Sequence, residues 1–298
     1  MSTAAYRIFA GIFLPEIQDM ILDGCGMVTI YELGRTSKAV RRRTRSYCRR
    51  RYHRELRRFV ETPVSFRDVL RRSLGIVSGS VALHYLAEPS GWVPGDMDVY
   101  ASPSGSAMIM DYLIDKENYN LTSVHNMYGG VGWSSRKSVL EVSKFERPGD
   151  SVKIDLITCV DSNLVTCITS FHSTVVMNIL TADSVYSLYP RLTFMCRGFW
   201  GLAPRLTAYS QTTHDAMDKY RRRGYNIQIG TGSWKRPCGS YCPVFVRRFD
   251  SVHTFHYVFC VSGESSIPAS SAWTSVRWRL GIECKNRFCT HSGSVMRM

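Results

Sequence analysis

The sequence predicts an α+β protein in three regions. A helical, basic segment covers 1–60, a small mixed sheet with helices covers 61–200, and a turn-rich extension covers 201–298. Three observations carry this. In the first region Ile17, Met20 and Ile21 recur at the i, i+3, i+4 spacing of one helix face. From Thr62 onward, helical stretches alternate with short apolar runs bounded by Gly, Pro and Ser. Past about residue 201, turn residues and aromatics replace long periodic runs, and two close cysteine pairs appear.

Taken in order, 14–23 reads as a helix opened by Pro15 and ended by Gly24 and Gly26. The stretch 35–58 reads as a long helix with a cationic surface. Val40, Tyr47, Tyr52, Leu56 and Phe59 form its narrow apolar face among Arg41–Arg43, Arg49–Arg51 and Arg57–Arg58. Such a surface either grips a phosphate backbone or is solvated and pairs with acidic neighbours. Residues 65–74 form a helix feeding a strand at 75–77; Gly79-Ser80 turns the chain into a short helix at 81–86. A Pro/Gly loop at 89–95 leads to a strand at 96–101, then a helix at 107–116 and a turn at Gly129-Gly130. Strands at 139–145 and 152–160 pair about the turn 147–150. Residues 161–200 are expected to be largely helical, with short strands following near 244–249 and 256–261.

Composition narrows the function classes. The 298 residues, 44% hydrophobic and 21% charged, suit a globular chain rather than a disordered one. Lys and Arg outnumber Asp and Glu by 38 to 24, a formal charge of +14, which points to an anionic partner: nucleic acid or a nucleoside polyphosphate ahead of a membrane surface. No apolar run reaches the roughly 18 residues of a membrane span. The apolar stretch near the start lacks a small-residue cleavage site, so a secretory signal is not expected. An intracellular location, cytoplasmic or nuclear, follows, and the ten cysteines are expected as thiols or metal ligands rather than disulfides.

The chemistry concentrates in the central region. Alternate residues of a strand share a face, so Asp96 and Asp98 point one way and Met97 the other. Two carboxylates on one face suit Mg²⁺, which takes one or two protein carboxylates together with substrate phosphates. Asp155, between Ile154 and Leu156 on a second strand, would complete a two-metal clamp and help deprotonate an attacking hydroxyl. Gly79 permits close backbone approach to a triphosphate, and Ser80 with the helix-start amides can donate to phosphate oxygens. No Gly-Lys-Ser/Thr follows, which excludes a Walker loop, and the turn is not a Gly-x-Ser-x-Gly elbow.

These residues resemble the nucleotidyltransferase superfamily with a DNA polymerase β type palm. The likeness runs through Val77 to Ser80, Asp96-Met97-Asp98-Val99 and Ile154-Asp155-Leu156, over about residues 62–185. It implies a palm fold, with Mg²⁺- or Mn²⁺-dependent transfer of a nucleoside monophosphate from a nucleoside triphosphate and release of pyrophosphate. Asp96, Asp98 and Asp155 are then the catalytic metal ligands, and Gly79 and Ser80 bind the nucleotide. The first region resembles an F-box-like module through 14–22 and 30–41, which implies a cullin-ligase adaptor as partner. The arrangement as a whole is similar to basidiomycete proteins that join such a start to this core, with Phe171 to Asn178 and Leu188-Tyr189-Pro190 in common.

Cys238-x3-Cys242 and Cys284-x4-Cys289, with His291 nearby, suit tetrahedral Zn²⁺ as a structural rivet. Pro237, Gly239, Pro243 and Asn286 favour the tight loops such a site needs. The alternative is four unrelated reduced cysteines. Cys159, Cys167, Cys196 and Cys260 are expected in the core, and 230–233 as a plain turn. The leading functional expectation is a metal-dependent nucleotidyltransferase with nucleic acid drawn to the 35–58 helix. Its rival is a non-enzymatic F-box-like adaptor using the palm as a binding module.

Overall fold

The computed structural model describes residues 13–87, 91–126, 138–160, 162–200, 211–232, 234–242, 244–260, 273, 276–280 and 284–291. The expected turn at Gly129-Gly130 and the contribution of Pro243 to the cysteine loops lie outside them.

Three helices open the chain: α1 (Pro15–Asp23), α2 (Met27–Arg35) and α3 (Lys38–Leu56). Pro15 starts α1, where a missing N–H costs nothing. The Ser37 hydroxyl caps α3 by accepting from the Val40 N–H at 3.2 Å. The arginines of α3 face inward as well as outward. Arg43 and Arg50 pair with Asp19, Arg54 pairs with Asp23, and Arg51 donates to the Ala87 carbonyl at 2.7 Å. This turns the acidic side of α1 toward α3 and leaves its apolar side outward, with Leu14 68% and Met20 69% exposed.

After α4 (Pro63–Ser73) the sheet begins: β1 (Ile76–Ser78), α5 (Gly79–Leu86), β2 (Asp96–Ala101), α6 (Pro103–Glu117), β3 (Asn120–Asn126), β4 (Val139–Glu146) and β5 (Lys153–Cys159). The expected strands and helices are all found here.

Residues 162–200 correct the sequence reading, which takes 161–200 as largely helical. They hold only two short α-helices, α7 (Val165–Thr169) and α8 (Pro190–Thr193), a 3₁₀ turn at Thr174–Val176, and three strands: β6 (Asn178–Leu180), β7 (Ser184–Ser187) and β8 (Arg197–Phe199). Short apolar runs have no diagnostic period, and here the turn decides. The Thr181 hydroxyl accepts from the Asp183 and Ser184 amides, and Asp183 is clamped by Arg67 and Arg71 of α4, which fixes a hairpin instead of a helix.

The resulting mixed sheet has eight strands in the order β11-β7-β6-β1-β2-β5-β4-β3, where β11 is Phe255–Val258. Within it β2 and β5 run parallel and the other neighbours antiparallel. One face, with Val77, Met97, Val99, Ile154 and Leu156, packs into the same core as Leu22, Met27, Ile30, Tyr47 and Tyr52 of the N-terminal helices. The other carries Ile76, Tyr100, Ile157 and Cys159, packed with Leu164, Met177 and Trp278.

The extension is more regular than its composition suggests. It contains a helix absent from the sequence reading, α9 (Gln211–Arg222), followed by β9 (Asn226–Gln228), which pairs parallel with β8. A second small pair joins β10 (Arg247–Arg248) to β12 (Arg277–Trp278). Among the described residues no helix is long and apolar enough to cross a membrane.

Candidate active site and cysteine cluster

Strand register decides whether the three carboxylates meet. In the antiparallel β1–β2 pair Ser78 lies opposite Asp98, and in the parallel β2–β5 pair Asp98 lies beside Asp155. Met97, Ile154 and Leu156, fully buried, hold the opposite face, so Asp96, Asp98 and Asp155 project together. Their face is the one that carries Tyr100 and Ile157 into the second core.

The Gly79-Ser80 turn abuts this acidic face. Gly79 has φ +63°, and a Cβ built on it would lie 2.1 Å from Asp98 Oδ2, so no other residue fits without moving the carboxylate. Ser80 lies in the first turn of α5 with its Oγ 3.4 Å from Asp96 Oδ1. The carboxylates, the small-residue turn and a helix N-terminus thus share one surface.

Two lysines, neither singled out from sequence, complete it. Lys144, the β4 neighbour of Asp155, donates to Asp155 Oδ2 at 3.0 Å. Lys219 of α9 lies 3.8 Å from Asp96 Oδ1. Asp98 sits between these pairs and retains only part of its surface in solvent. Burial is the largest cause raising its carboxyl to about 7; Asp96 and Asp155 add to the rise, and Lys219 and Lys144 oppose it.

Behind the site, the Arg223 guanidinium stacks on Trp92 at 4.0 Å and on Tyr220 at 5.3 Å. Burial lowers its pKa, and its Nη1 is buried with no hydrogen-bond partner among the described residues. His172, near Trp200 and Tyr220, is held neutral, its pKa lowered to about 4 by burial first and by Lys219 second. Met217 and Tyr220, buried at i, i+3, are the sequence signal that could have revealed α9. Lys144 could be found only by fixing the register about the turn 147–150.

The second cluster is the cysteine quartet. Cys238, Cys242, Cys284 and Cys289 are all buried, and their Sγ atoms lie within 4.8 Å of one another. Among the described residues no other group of three His, Cys, Asp or Glu side chains converges this way, the aspartate trio included. The quartet could hold a metal such as zinc. The other expectations divide: Cys159 and Cys167 are buried, but Cys196 is exposed and Cys260 partly so. Cys196 has a left-handed φ of +50° after a short helix, which turns it outward. Thr231, in the expected plain turn, is fully buried with its hydroxyl 3.5 Å from Cys284 Sγ; Ser233 lies outside the described residues. No family model matches the chain, and no curated protein matches it.

Proposed function

We propose that the chain is a metal-dependent nucleotidyltransferase of the polymerase β palm type, transferring a nucleoside monophosphate from a nucleoside triphosphate to an acceptor hydroxyl. The observation that supports it most is the double register, Ser78 opposite Asp98 and Asp98 beside Asp155, which joins the small-residue turn to three carboxylates.

Carboxylates are the donors a hard divalent cation takes, and the three would draw together around it, since they do not converge as the cysteine sulfurs do. Burial first, and the charges of Asp96 and Asp155 after it, raise Asp98 to about 7, and Mg²⁺ or Mn²⁺ would relieve the repulsion among the three. When bound, such a cation supplies charge neutralisation at the transferring phosphoryl group and at the leaving pyrophosphate. Asp96 and Asp98 would hold it. Asp155, kept oriented by Lys144, would share it and accept the proton of the attacking hydroxyl. The amides at the start of α5 and the Ser80 hydroxyl would bind phosphate oxygens, with Gly79 leaving room for them. Arg42, Arg49 and Arg57 of the basic segment stay exposed and would draw an anionic acceptor such as nucleic acid.

The test is pyrophosphate release from each nucleoside triphosphate with Mg²⁺ or Mn²⁺ and a single-stranded RNA as acceptor, together with direct nucleotide binding. Asp96→Asn and Asp155→Asn should abolish release while the fold persists. Undiminished release in both variants would remove the assignment.

One observation favours a second reading, the non-enzymatic F-box-like adaptor. The apolar side of α1, with Leu14, Ile17, Met20 and Ile21, faces solvent. On this reading the chain binds a purified cullin-ligase adaptor, Leu14→Glu with Met20→Glu loses it, and the core hydrolyses or transfers no nucleotide.

A further inference from the structure

The C-terminal cysteines carry an inference independent of the nucleotide chemistry. Cys238 and Cys242 bracket a single turn of 3₁₀ helix, Gly239–Tyr241, in which Gly239 takes a left-handed φ of +53°. Cys284 and Cys289 flank a second tight turn in which the Cys289 amide donates to the Asn286 carbonyl at 3.0 Å. The two turns face each other, and their sulfurs interleave. Cys238 Sγ lies 3.7 Å from Cys284 Sγ, and Cys242 Sγ lies 3.8 Å from Cys289 Sγ.

These spacings discriminate among explanations. A disulfide needs sulfurs about 2.05 Å apart, far closer than these. A tetrahedron with Zn–S arms of about 2.3 Å has edges of about 3.8 Å, the separation found on both sides of the quartet. All four sulfurs also fall within 4.8 Å of one another, so they enclose a single centre rather than forming two remote pairs.

Polar side chains are aimed at two of the sulfurs. Asn286, fully buried, donates through Nδ2 to Cys238 Sγ at 3.2 Å, and its Oδ1 accepts from the Phe288 amide at 3.0 Å. The Thr231 hydroxyl sits 3.5 Å from Cys284 Sγ. Polar groups aimed at sulfur are the support that orients metal ligands. Lys235, Arg236, Lys285 and Arg287, close to the cysteines in sequence, are exposed and would offset part of the negative charge of four metal-bound thiolates. His291 Nδ1 lies 3.7 Å from Cys289 Sγ, beside a complete ligand set, as a neighbour of that sulfur.

We propose that Cys238, Cys242, Cys284 and Cys289 form a closed tetrathiolate Zn²⁺ centre that fastens the C-terminal segment to the β8–β9 pair. Four protein ligands leave no open position, so the role is structural. The four thiols release their protons to solvent as the ion binds. The local apolar cluster consists of the cysteines and Val244, with Trp234 and Phe245 packed on it, too little to order two turns from distant parts of the chain. Trp234 links the centre onward. Its Nε1 donates to Gln228 Oε1 at 2.7 Å, and its ring lies 5.3 Å from that of Phe199. Through β9 the centre therefore steadies the strand that follows α9, the helix carrying Lys219.

The experiment is metal analysis of the full-length protein purified without added metal. One zinc per chain is expected, and replacement by Co²⁺ should give the intense thiolate charge-transfer and visible bands of a tetrahedral tetrathiolate site. Cys284→Ser should lose most of the zinc. Chelation of the wild-type protein should raise hydrogen exchange over 226–242 and 284–291 while leaving β2 and β5 protected, a readout that needs no variant to fold. Absence of bound metal together with four freely alkylated cysteines, iron in place of zinc, or full zinc retention in Cys284→Ser would each overturn the proposal.

Discussion

Replacing Asp98 by Asn is expected to make the protein more stable at alkaline pH while removing the proposed nucleotide transfer. In the folded chain the Asp98 carboxyl is raised from 3.8 to about 7, by burial and by the charges of Asp96 and Asp155. Proton binding therefore favours the folded state. The penalty is absent below the unfolded value near 3.8, grows as pH rises, and is complete above about 7. At about 1.4 kcal/mol per pH unit the full difference is at most about 4 kcal/mol. Asp98 keeps some solvent contact and two lysines lie near, so screening brings the expected gain to about 1–2 kcal/mol. The assay is urea unfolding of both proteins at pH 8 and pH 4. Asp98→Asn should shift the midpoint upward at pH 8 with an unchanged slope, and the two curves should converge at pH 4. Mg²⁺ should close part of the gap by stabilising only the wild type. A variant no more stable at pH 8, or a difference that persists at pH 4, would refute the view that burial of Asp98 beside two other carboxylates sets the energetics of this site.

Two further substitutions probe what holds the site. Gly79→Ala places a methyl 2.1 Å from Asp98 Oδ2 at φ +63°, a conformation costing about 1 kcal/mol for a residue with a Cβ. The proposed nucleotide transfer should fall at least about tenfold with far-UV circular dichroism unchanged; transfer at the wild-type rate would show that the close approach of Gly79 and Asp98 is not needed. Asp183→Asn leaves Arg67, almost fully buried, and Arg71 without their carboxylate, and should cost about 3 kcal/mol in thermal or urea unfolding. Burial pushes the Asp183 carboxyl up, but hydrogen bonds and charge from Arg71 and Arg67 outweigh it and hold it below 3.8. That stabilisation is present above 3.8 and is lost as pH falls through the lower folded value, so the difference between wild type and variant should narrow in acid.

The parts of the fold legible in the sequence are those governed by local rules. Asp96 to Ala101 reads as a strand because alternation and the preceding Pro/Gly loop agree, and β2 begins and ends there. Gly79 stands out in the sequence as the glycine of a Gly-Ser turn after an apolar run, read there as room for a triphosphate; the structure gives it a left-handed φ under the Asp98 carboxylate. What was not legible depends on partners remote in sequence. The 178–187 hairpin joins a local Thr181 turn to a grip by Arg67 and Arg71 on Asp183 more than a hundred residues away, and that second part no local pattern encodes. The arginines of α3 look alike as a run, yet Arg43, Arg50 and Arg54 bind α1 while Arg51 turns to the Ala87 carbonyl.

The same distinction separates the carboxylates from the cations that meet them. Three acidic residues flanked by apolar neighbours are conspicuous, because burying a carboxylate beside two others is costly and few sequences tolerate it. Lys144 and Lys219 carry no such signature: a lysine on a hairpin strand or a helix is ordinary until register and packing are known. Yet they face opposite ends of the acidic row, Lys144 on Asp155 and Lys219 on Asp96, with the raised carboxyl of Asp98 between them. A cation entering the row would compete with both. Lys219, the more distant at 3.8 Å and carried by the extension rather than the sheet, is the contact released at least cost. The extension thus belongs to the site's electrostatics as well as to its own fold, which ties the C-terminal third of the chain to the chemistry of the central sheet.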